Sequence, residues 1–374
     1  MTYQNKIVKV GGLVFLFADY NNLIPNSGVV MTYQGLIHRY GQYLDLPAHT
    51  KPVSLLEGNT PLIPMPRLSG EFGCELFIKF EGLNPTGSFK DRGMTAAVSE
   101  AVGRGAQTVI CASTGNTAAS AAAYAARAGL RSIVLIPEGK VAAGKLAGAI
   151  AYGAEVIQIQ GSFDDALTLV VEITQKTPIA LVNSINPYRI EGQKTSAFEI
   201  CDVLESAPDW LCLPVGNAGN ITSYWAGFKQ YQKGLPQILG VQAAGSAPLV
   251  LGHPVEKPET IATAIRIGKP ARGEQALEAA QESNGRIIAV SDEEILSAQK
   301  ILASEGVWVE PASAAGLAGL IAESAKGFDV KGKKVVVVCT GHGMKDPSII
   351  TESFQSPKII PVNYNALVDI IGGA

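Results

Sequence analysis

The chain has 374 residues, of which 47% are hydrophobic and 17% charged, enough apolar material for one large core or two moderate ones. Its net charge of −3, with acidic and basic residues interspersed, leaves no basic surface of the kind that binds nucleic acid or an anionic membrane. Five cysteines, at positions 74, 111, 201, 212 and 339, show no zinc-ligand spacing and lie mostly in apolar segments. They predict buried free thiols of a reducing compartment and no metal site.

The first thirty residues stand apart from the rest. Residues 11–18 are apolar, but a membrane helix needs roughly 20 such residues, and no small-residue cleavage site follows that would indicate a signal peptide. The tetrapeptide Met-Thr-Tyr-Gln at residue 1 recurs at residue 31. We therefore expect Met31 to be the natural start, residues 1–30 to be a dispensable and poorly ordered extension, and no transmembrane helix.

Runs rich in Val, Ile and Leu predict β-strands along most of the remaining chain, at 76–80, 108–113, 132–137, 155–160, 179–183, 210–215, 237–242 and 334–339. Alanine-rich helical patterns lie between most of these runs. Continuous apolar strands alternating with helices are typical of parallel sheets that helices cover on both faces. Three hundred residues of this pattern exceed one doubly wound sheet, and no repeat of solenoid period is present.

Lys90 is the first residue of chemical interest. The run 84–93, Asn-Pro-Thr-Gly-Ser-Phe-Lys-Asp-Arg-Gly, contains two turn dipeptides and then begins a helical pattern. A lysine near a helix N-terminus meets the positive end of the macrodipole, which disfavours the ammonium and lowers the pKa. Such a lysine suits Schiff-base chemistry, although taken alone it could equally be a solvated first-turn residue.

Three further loops follow predicted strands, at residues 113–117, 216–220 and 340–347. The second, Gly-Asn-Ala-Gly-Asn, is built from small residues that let several backbone N–H groups point at one anion, and a helix begins beside it. It lacks the glycine patterns of dinucleotide and nucleotide-triphosphate sites. Taken alone, the loop is better explained as an ordinary strand-to-helix turn, but together with Lys90 it predicts a phosphate site.

Together these four segments resemble the tryptophan-synthase-β (fold type II) family of pyridoxal phosphate enzymes, and within it the threonine synthases. The resemblance covers about residues 35–347. It implies an α/β fold of two doubly wound open domains with the active site in the cleft between them. The large domain would comprise residues 31–89 and 184–374, and the small inserted domain residues 90–183. The family is cytoplasmic and commonly homodimeric, so the resemblance implies both properties here.

The resemblance also implies roles for single residues. Lys90 would be the catalytic residue and would bind the cofactor, pyridoxal 5′-phosphate. Asn116 would hydrogen-bond its 3′-oxygen, and Thr340 would face its pyridine nitrogen, where a hydroxyl, unlike a carboxylate, does not hold a proton on the ring. Without the resemblance, a helix cap and a strand-end turn would explain these two residues equally well. A phosphate cup would be formed by Gly216, Asn217, Ala218, Gly219 and Asn220.

The segment Asn-Ser-Ile-Asn-Pro-Tyr-Arg at 183–189 resembles the substrate-phosphate segment of the threonine synthases, and this resemblance implies the substrate class. O-phospho-L-homoserine brings a second phosphate, which needs a fork-shaped cation and neutral donors, and Arg189 with Asn183 and Ser184 could supply them. The resemblance adds Ser113 and Thr117 to this substrate site. A surface arginine in a polar loop is the alternative reading of Arg189.

The implied reaction is a β,γ-replacement that converts O-phospho-L-homoserine and water to L-threonine and phosphate, with Lys90 as cofactor anchor and proton shuttle. A threonine or serine dehydratase would use the same lysine and glycine loop without the phosphate cluster. A non-catalytic protein that binds pyridoxal phosphate is the third possibility. Both alternatives remain open at this point.

Overall fold

Parallel β-strands in two separate sheets organise the chain beyond residue 35. The computed structural model describes residues 6–10, 13–17, 32–139, 143–347 and 357–371. The strands are β1 (Lys6–Val10), β2 (Leu13–Phe17), β3 (Leu62–Pro64), β4 (Glu75–Phe80), β5 (Thr108–Ala112), β6 (Arg131–Pro137), β7 (Glu155–Ile159), β8 (Ala180–Leu181), β9 (Trp210–Pro214), β10 (Gln237–Ala243), β11 (Arg286–Val290) and β12 (Lys334–Cys339).

Helices follow most of these strands. They are α1 (Leu36–Tyr40), α2 (Pro66–Phe72), α3 (Lys90–Gly103), α4 (Asn116–Ala128), α5 (Ala143–Ala151), α6 (Phe163–Lys176), α7 (Pro187–Leu204), α8 (Gly219–Tyr231), α9 (Pro248–Leu251), α10 (Gly273–Glu282), α11 (Asp292–Ser304), α12 (Pro311–Ser324) and α13 (Tyr364–Ile371). Among the helices of the described residues, none combines the length and the apolar character needed to cross a membrane.

The larger sheet has six strands in the order β11-β10-β9-β12-β4-β3. All of its neighbours are parallel except β3, which pairs antiparallel with β4 at one edge. Strand β12 lies between β4 and β9, so the segments that follow these three strands leave the same edge of the sheet. This topology places the Lys90 turn, the glycine loop and Thr340 side by side.

The smaller sheet has four parallel strands in the order β7-β6-β5-β8. Its two faces are packed by different helices, because successive residues of a strand point to opposite sides. Val109 and Cys111 of β5 pack in one core with α4, and Ile110 and Ala112 pack in another with α6. Helices therefore cover both faces, as the continuous apolar strands predict.

The predicted fold class is confirmed. All eight predicted strands are present, although β8 is only two residues long, and the sequence reading missed the edge strands β3 and β11. All five cysteines are buried and unbonded, as predicted.

The predictions for residues 1–30 and for the domain boundaries stay predictions. β1 and β2 pair antiparallel within a unit that spans Met1–Gln34. The other residues up to and including Met31 lie outside the described ones.

Candidate active site

The candidate site forms where the loops after four parallel strands meet. Lys90 follows β4, Asn116 follows β5, Gly219 follows β9 and Thr340 follows β12. Hydrogen bonds join two of these segments directly, since the N–H of Phe89 donates to the carbonyl of Thr340 over 3.0 Å. The carboxyl ends of parallel strands are the usual place for ligands in open α/β sheets.

Lys90 is the first residue of α3, and its amine lies 4.1 Å from the centre of the Phe89 ring. Its side chain is half-buried by surface area, yet the amine lies deep enough for desolvation to dominate. Burial, with the nearby charge of Arg189, lowers the pKa of Lys90 to about 7, and Glu310 opposes this shift. The lowered pKa agrees with the sequence prediction, and burial is its largest cause.

Asn116 is the first residue of α4, where Gly115 and not Asn116 occupies the cap position. Its amide nitrogen donates to both carboxylate oxygens of Glu310, at 3.0 and 3.1 Å. A side chain held in this way points in a fixed direction at the edge of the site. The capping alternative for Asn116 is therefore wrong.

Thr340 is buried directly beyond β12. Its hydroxyl lies 2.8 Å from that of Ser313, and the N–H of Gly341 donates to the same Ser313 oxygen over 2.8 Å. Ser313 therefore holds the Thr340 hydroxyl at the candidate site.

The predicted phosphate cup lies at the N-terminus of α8. Ala218 has a φ of 64°, a left-handed conformation that turns the backbone sharply into the helix, and Gly219 begins it. The buried Nδ2 of Asn220 has no hydrogen-bond partner among the described residues. An unpaired buried donor beside a helix N-terminus fits a phosphate group, so the residues present fit the cofactor that the resemblance implies. Of the cup residues, Asn217 also receives a long bond from the N–H of Ala271, at 3.4 Å.

Arg189, in the first turn of α7, is 1% exposed, so the surface alternative is wrong. Its Nη1 donates to the carbonyl of Val182 over 2.8 Å, while its buried Nε has no partner within the described part of the chain. Burial lowers the pKa of Arg189 to about 10. A buried guanidinium whose Nε–H is not used in this way can still donate to an anion.

Arg189 is close to the start of α3. A side chain at Gly93 would place its Cβ 2.8 Å from the Arg189 Nε, and one at Gly192 would lie 1.8 Å from the carbonyl oxygen of Arg92. The two glycines let α3 and α7 cross at backbone contact. This crossing brings the Arg189 guanidinium beside the turn that presents Lys90.

The other predicted substrate residues differ in their burial and in their hydrogen bonds. The Asn183 side chain is buried and bonds both backbone groups of Ala112, accepting over 3.0 Å and donating over 2.9 Å. Asn183 thus fixes the end of β5, and its direct contact with substrate stays a prediction. Ser113, Thr117 and Ser184 are half-buried at the ends of β5 and β8 and in the first turn of α4.

A buried network of ion pairs connects the elements that carry Lys90 and Arg189. Arg92 donates to Glu81 at 2.7 Å and to Glu199 at 2.6 Å, and Lys79 donates to Glu199 at 2.7 Å. Burial alone would raise the pKa of Glu199, but Arg92 and Lys79 hold that pKa well below its usual range. The network joins β4, the first turn of α3 and α7.

Asp91 ties the lysine turn to α4. Its carboxylate accepts from the Thr86 N–H, the Thr86 hydroxyl and the Ser120 hydroxyl, at 2.7, 2.6 and 2.6 Å. Burial raises the pKa of Asp91 to about 6. Asp91 therefore links the turn before Lys90, through Thr86, to α4, through Ser120.

A cavity of about 460 Å³ lies beside the turn that precedes Lys90. Its wall includes Thr86, Gly87, Tyr152, His342 and Lys345, and none of the residues predicted to bind cofactor or substrate. The Lys345 amine there donates to the Thr86 carbonyl over 3.0 Å. We therefore place the candidate site by its hydrogen bonds and not by this cavity.

Sequence reasoning missed Glu310 and Ser313, which contact Asn116 and Thr340. A lone acid between the apolar residues 307–309 and Pro311 was the available signal. A helix start explains such an acid equally well, because carboxylates are common there.

Comparison with known proteins gives the same family. A family model described as "Pyridoxal-phosphate dependent enzyme" matches residues 53–341. A threonine synthase of Halalkalibacterium halodurans is 57% identical over 347 residues, which are 91% of this chain and 98% of that protein. A threonine synthase of Methanocaldococcus jannaschii is 50% identical over 380 residues, 96% of this chain and 94% of the relative.

Among solved structures, maize serine racemase superposes with a TM-score of 0.69 at 22% identity, covering 84% of this chain and 94% of that one. At this identity the match supports the fold alone.

Proposed function

The chain belongs to the pyridoxal-phosphate dependent enzymes, and within that family we infer that its function is that of a threonine synthase, a lyase that forms L-threonine and phosphate from O-phospho-L-homoserine and water. The relatives support the reaction, because they match nearly the whole chain at 50–57% identity. The observation in this molecule that supports it best is Arg189, a buried cation beside Lys90 whose Nε has no partner among the described residues.

We propose that pyridoxal phosphate is held by Lys90, Asn116, Thr340 and the 216–220 loop. The Asn220 amide and the first N–H groups of α8 would bind its phosphate, and Thr340, held by Ser313, would face its ring nitrogen. When bound, the cofactor supplies an electron sink for charge that develops on the substrate's carbon atoms.

Lys90 is the residue that moves protons in this proposal. An amine whose pKa is about 7 exists in both forms near neutral pH, so its Nζ can take a proton from the substrate and return one. A lysine at the ordinary pKa of about 10.4 would be almost entirely protonated there and a poor base. Burial in the site thus makes one lysine suitable for successive proton transfers.

Arg189 would bind the substrate phosphate. Its Nη1 is fixed on Val182, which leaves Nε and the second terminal nitrogen to meet two phosphate oxygens. Ser113, Thr117 and Ser184 would add neutral donors, and Asn183 would hold the end of β5 in place. A dehydratase has no phosphate on its substrate, so this cluster would be unused in one.

The experiment that tests the function compares two activities of the same preparation. Phosphate released from O-phospho-L-homoserine is measured against 2-oxobutanoate released from L-threonine. We expect phosphate release to dominate. Dominant 2-oxobutanoate would favour the dehydratase, and neither product, with no cofactor absorbance between 330 and 430 nm on a roughly neutral sample, would favour a non-catalytic protein.

We also propose, from the resemblance alone, that the protein works as a homodimer in the cytoplasm. Light scattering on the purified full chain tests the first part, since a monomer would contradict it. Fractionation of the source cells tests the second.

A further inference from the structure

The first turn of α12 contacts both Asn116 and Thr340, the two side chains proposed to contact the cofactor ring. Glu310 occupies the N-cap position of α12, where its side chain makes no capping hydrogen bond. Its carboxylate instead accepts from Asn116 at 3.0 and 3.1 Å. Ser313, one turn further on, lies 2.8 Å from the Thr340 hydroxyl. The start of α12 therefore determines where Asn116 and Thr340 point.

The Glu310 carboxylate is packed tightly from the other side as well. A Cβ on Gly341 would lie 2.4 Å from its Oε1, so a side chain at that position would displace the carboxylate. The Glu310 N–H also donates to the Gly341 carbonyl over 3.1 Å. With 4% of its surface exposed, Glu310 has little freedom to turn away from Asn116.

Several charges face this carboxylate. Lys90 acts on it from α3, Lys345 and Asp346 from the segment after β12, and the neutral amide of Asn116 from α4. Burial raises the pKa of Glu310 to about 7, while Asn116, Lys345 and Lys90 oppose the shift and Asp346 adds to it. In return, the charge of Glu310 favours the ammonium form of Lys90.

We propose that Glu310 is a positioning residue of the lysine site, which fixes the side-chain amide of Asn116. The Asn116 amide nitrogen donates to both oxygens of Glu310, and this pair of contacts sets the direction of the Asn116 side chain. The proposal rests on the roles of Lys90 and Asn116 given above.

The test uses three variants of the full chain, Glu310→Gln, Glu310→Ala and the control Glu323→Gln. Glu323 is a buried carboxylate of the same helix, paired with Arg286 at 2.8 Å and Lys326 at 3.1 Å, outside the proposed site. Each protein is freed of cofactor, and its affinity for pyridoxal phosphate is measured by visible absorbance.

Glu310→Gln keeps an oxygen that can accept from Asn116, and Glu310→Ala removes it. The control should match the wild type. Affinity for pyridoxal phosphate should change little in Glu310→Gln, whose amide oxygen still accepts from Asn116. In Glu310→Ala it should weaken about fivefold or more, since Asn116 loses its partner.

Unchanged affinity in Glu310→Ala, or a loss in Glu310→Gln as large as that in Glu310→Ala, would overturn the positioning role. Should Glu310→Ala fail to fold, Asn116→Ala is measured instead: wild-type cofactor affinity there would show that Asn116 does not bind the cofactor and would refute the positioning role. Failure of the proposed function would look different. The wild type would then bind cofactor but release no phosphate from O-phospho-L-homoserine.

Discussion

Replacing Arg189 by methionine should lower activity strongly while leaving stability nearly unchanged. The guanidinium is 1% exposed, and no carboxylate of the described residues forms an ion pair with it, so folding the wild type already includes an unfavourable desolvation of its charge. Methionine removes that cost and fills a similar volume. It also leaves the Val182 carbonyl without its donor, which costs about 1–3 kcal/mol. We expect the two effects to cancel to within about 2 kcal/mol.

The effect on catalysis has no such compensation. Loss of a charge-assisted and bidentate contact in a desolvated site should cost about 2–4 kcal/mol of transition-state stabilisation. This cost corresponds to a roughly 30- to 900-fold lower kcat/KM for O-phospho-L-homoserine. Because the charge of Arg189 also lowers the pKa of Lys90, its removal should shift the pH dependence of both activities alike, while the further loss should be confined to O-phospho-L-homoserine. The matched control is Arg189→Lys, which keeps the charge and loses the fork, and should fall between the two.

Urea denaturation and steady-state kinetics on both substrates provide the measurements. If the variant loses several kcal/mol of stability, Arg189 is a structural residue. If kcat/KM falls equally on both substrates, or on neither, Arg189 does not bind the substrate phosphate and the dehydratase becomes the better reading.

The remaining predictions concern the lysine, the ionic network and the N-terminal segment. Lys90→Ala should abolish the covalent link to the cofactor and its characteristic absorbance, and should lower turnover by several orders of magnitude; activity within about tenfold of wild type would exclude Lys90 as the anchor. Glu199→Gln should destabilise the fold by about 3–5 kcal/mol in urea, because Arg92 and Lys79 lose a buried counter-charge; a loss below about 1 kcal/mol would refute this. Since the pKa of Glu199 is lower in the folded than in the unfolded state, the wild type should keep this stability above about pH 4.3 and lose it as the pH falls further, whereas Glu199→Gln should show a flatter profile. A chain beginning at Met31 should fold and turn over like the full chain, and an insoluble product would show that residues 1–30 are needed.

Much of the fold was predictable because its signals are local. A buried parallel strand is apolar along its whole length, so β5, β6 and β12 stand out in the sequence alone. The edge strands β3 and β11 were missed because they are short or only partly buried, and thus lack that continuous signal. The loops at strand ends were also found from composition, because small residues and turn dipeptides mark them.

The sequence by itself determined the fold class, the order of the site loops and the presence of one lysine suited to the chemistry. Only the tertiary structure decided the electrostatics of that lysine, because its pKa depends on burial and on charges brought from distant segments. Glu310 lies 194 residues from Asn116, and no local pattern links the two. The Nε of Arg189, which has no partner within the described part of the chain, is likewise a property of packing, since a sequence records which groups exist but not which of them are paired.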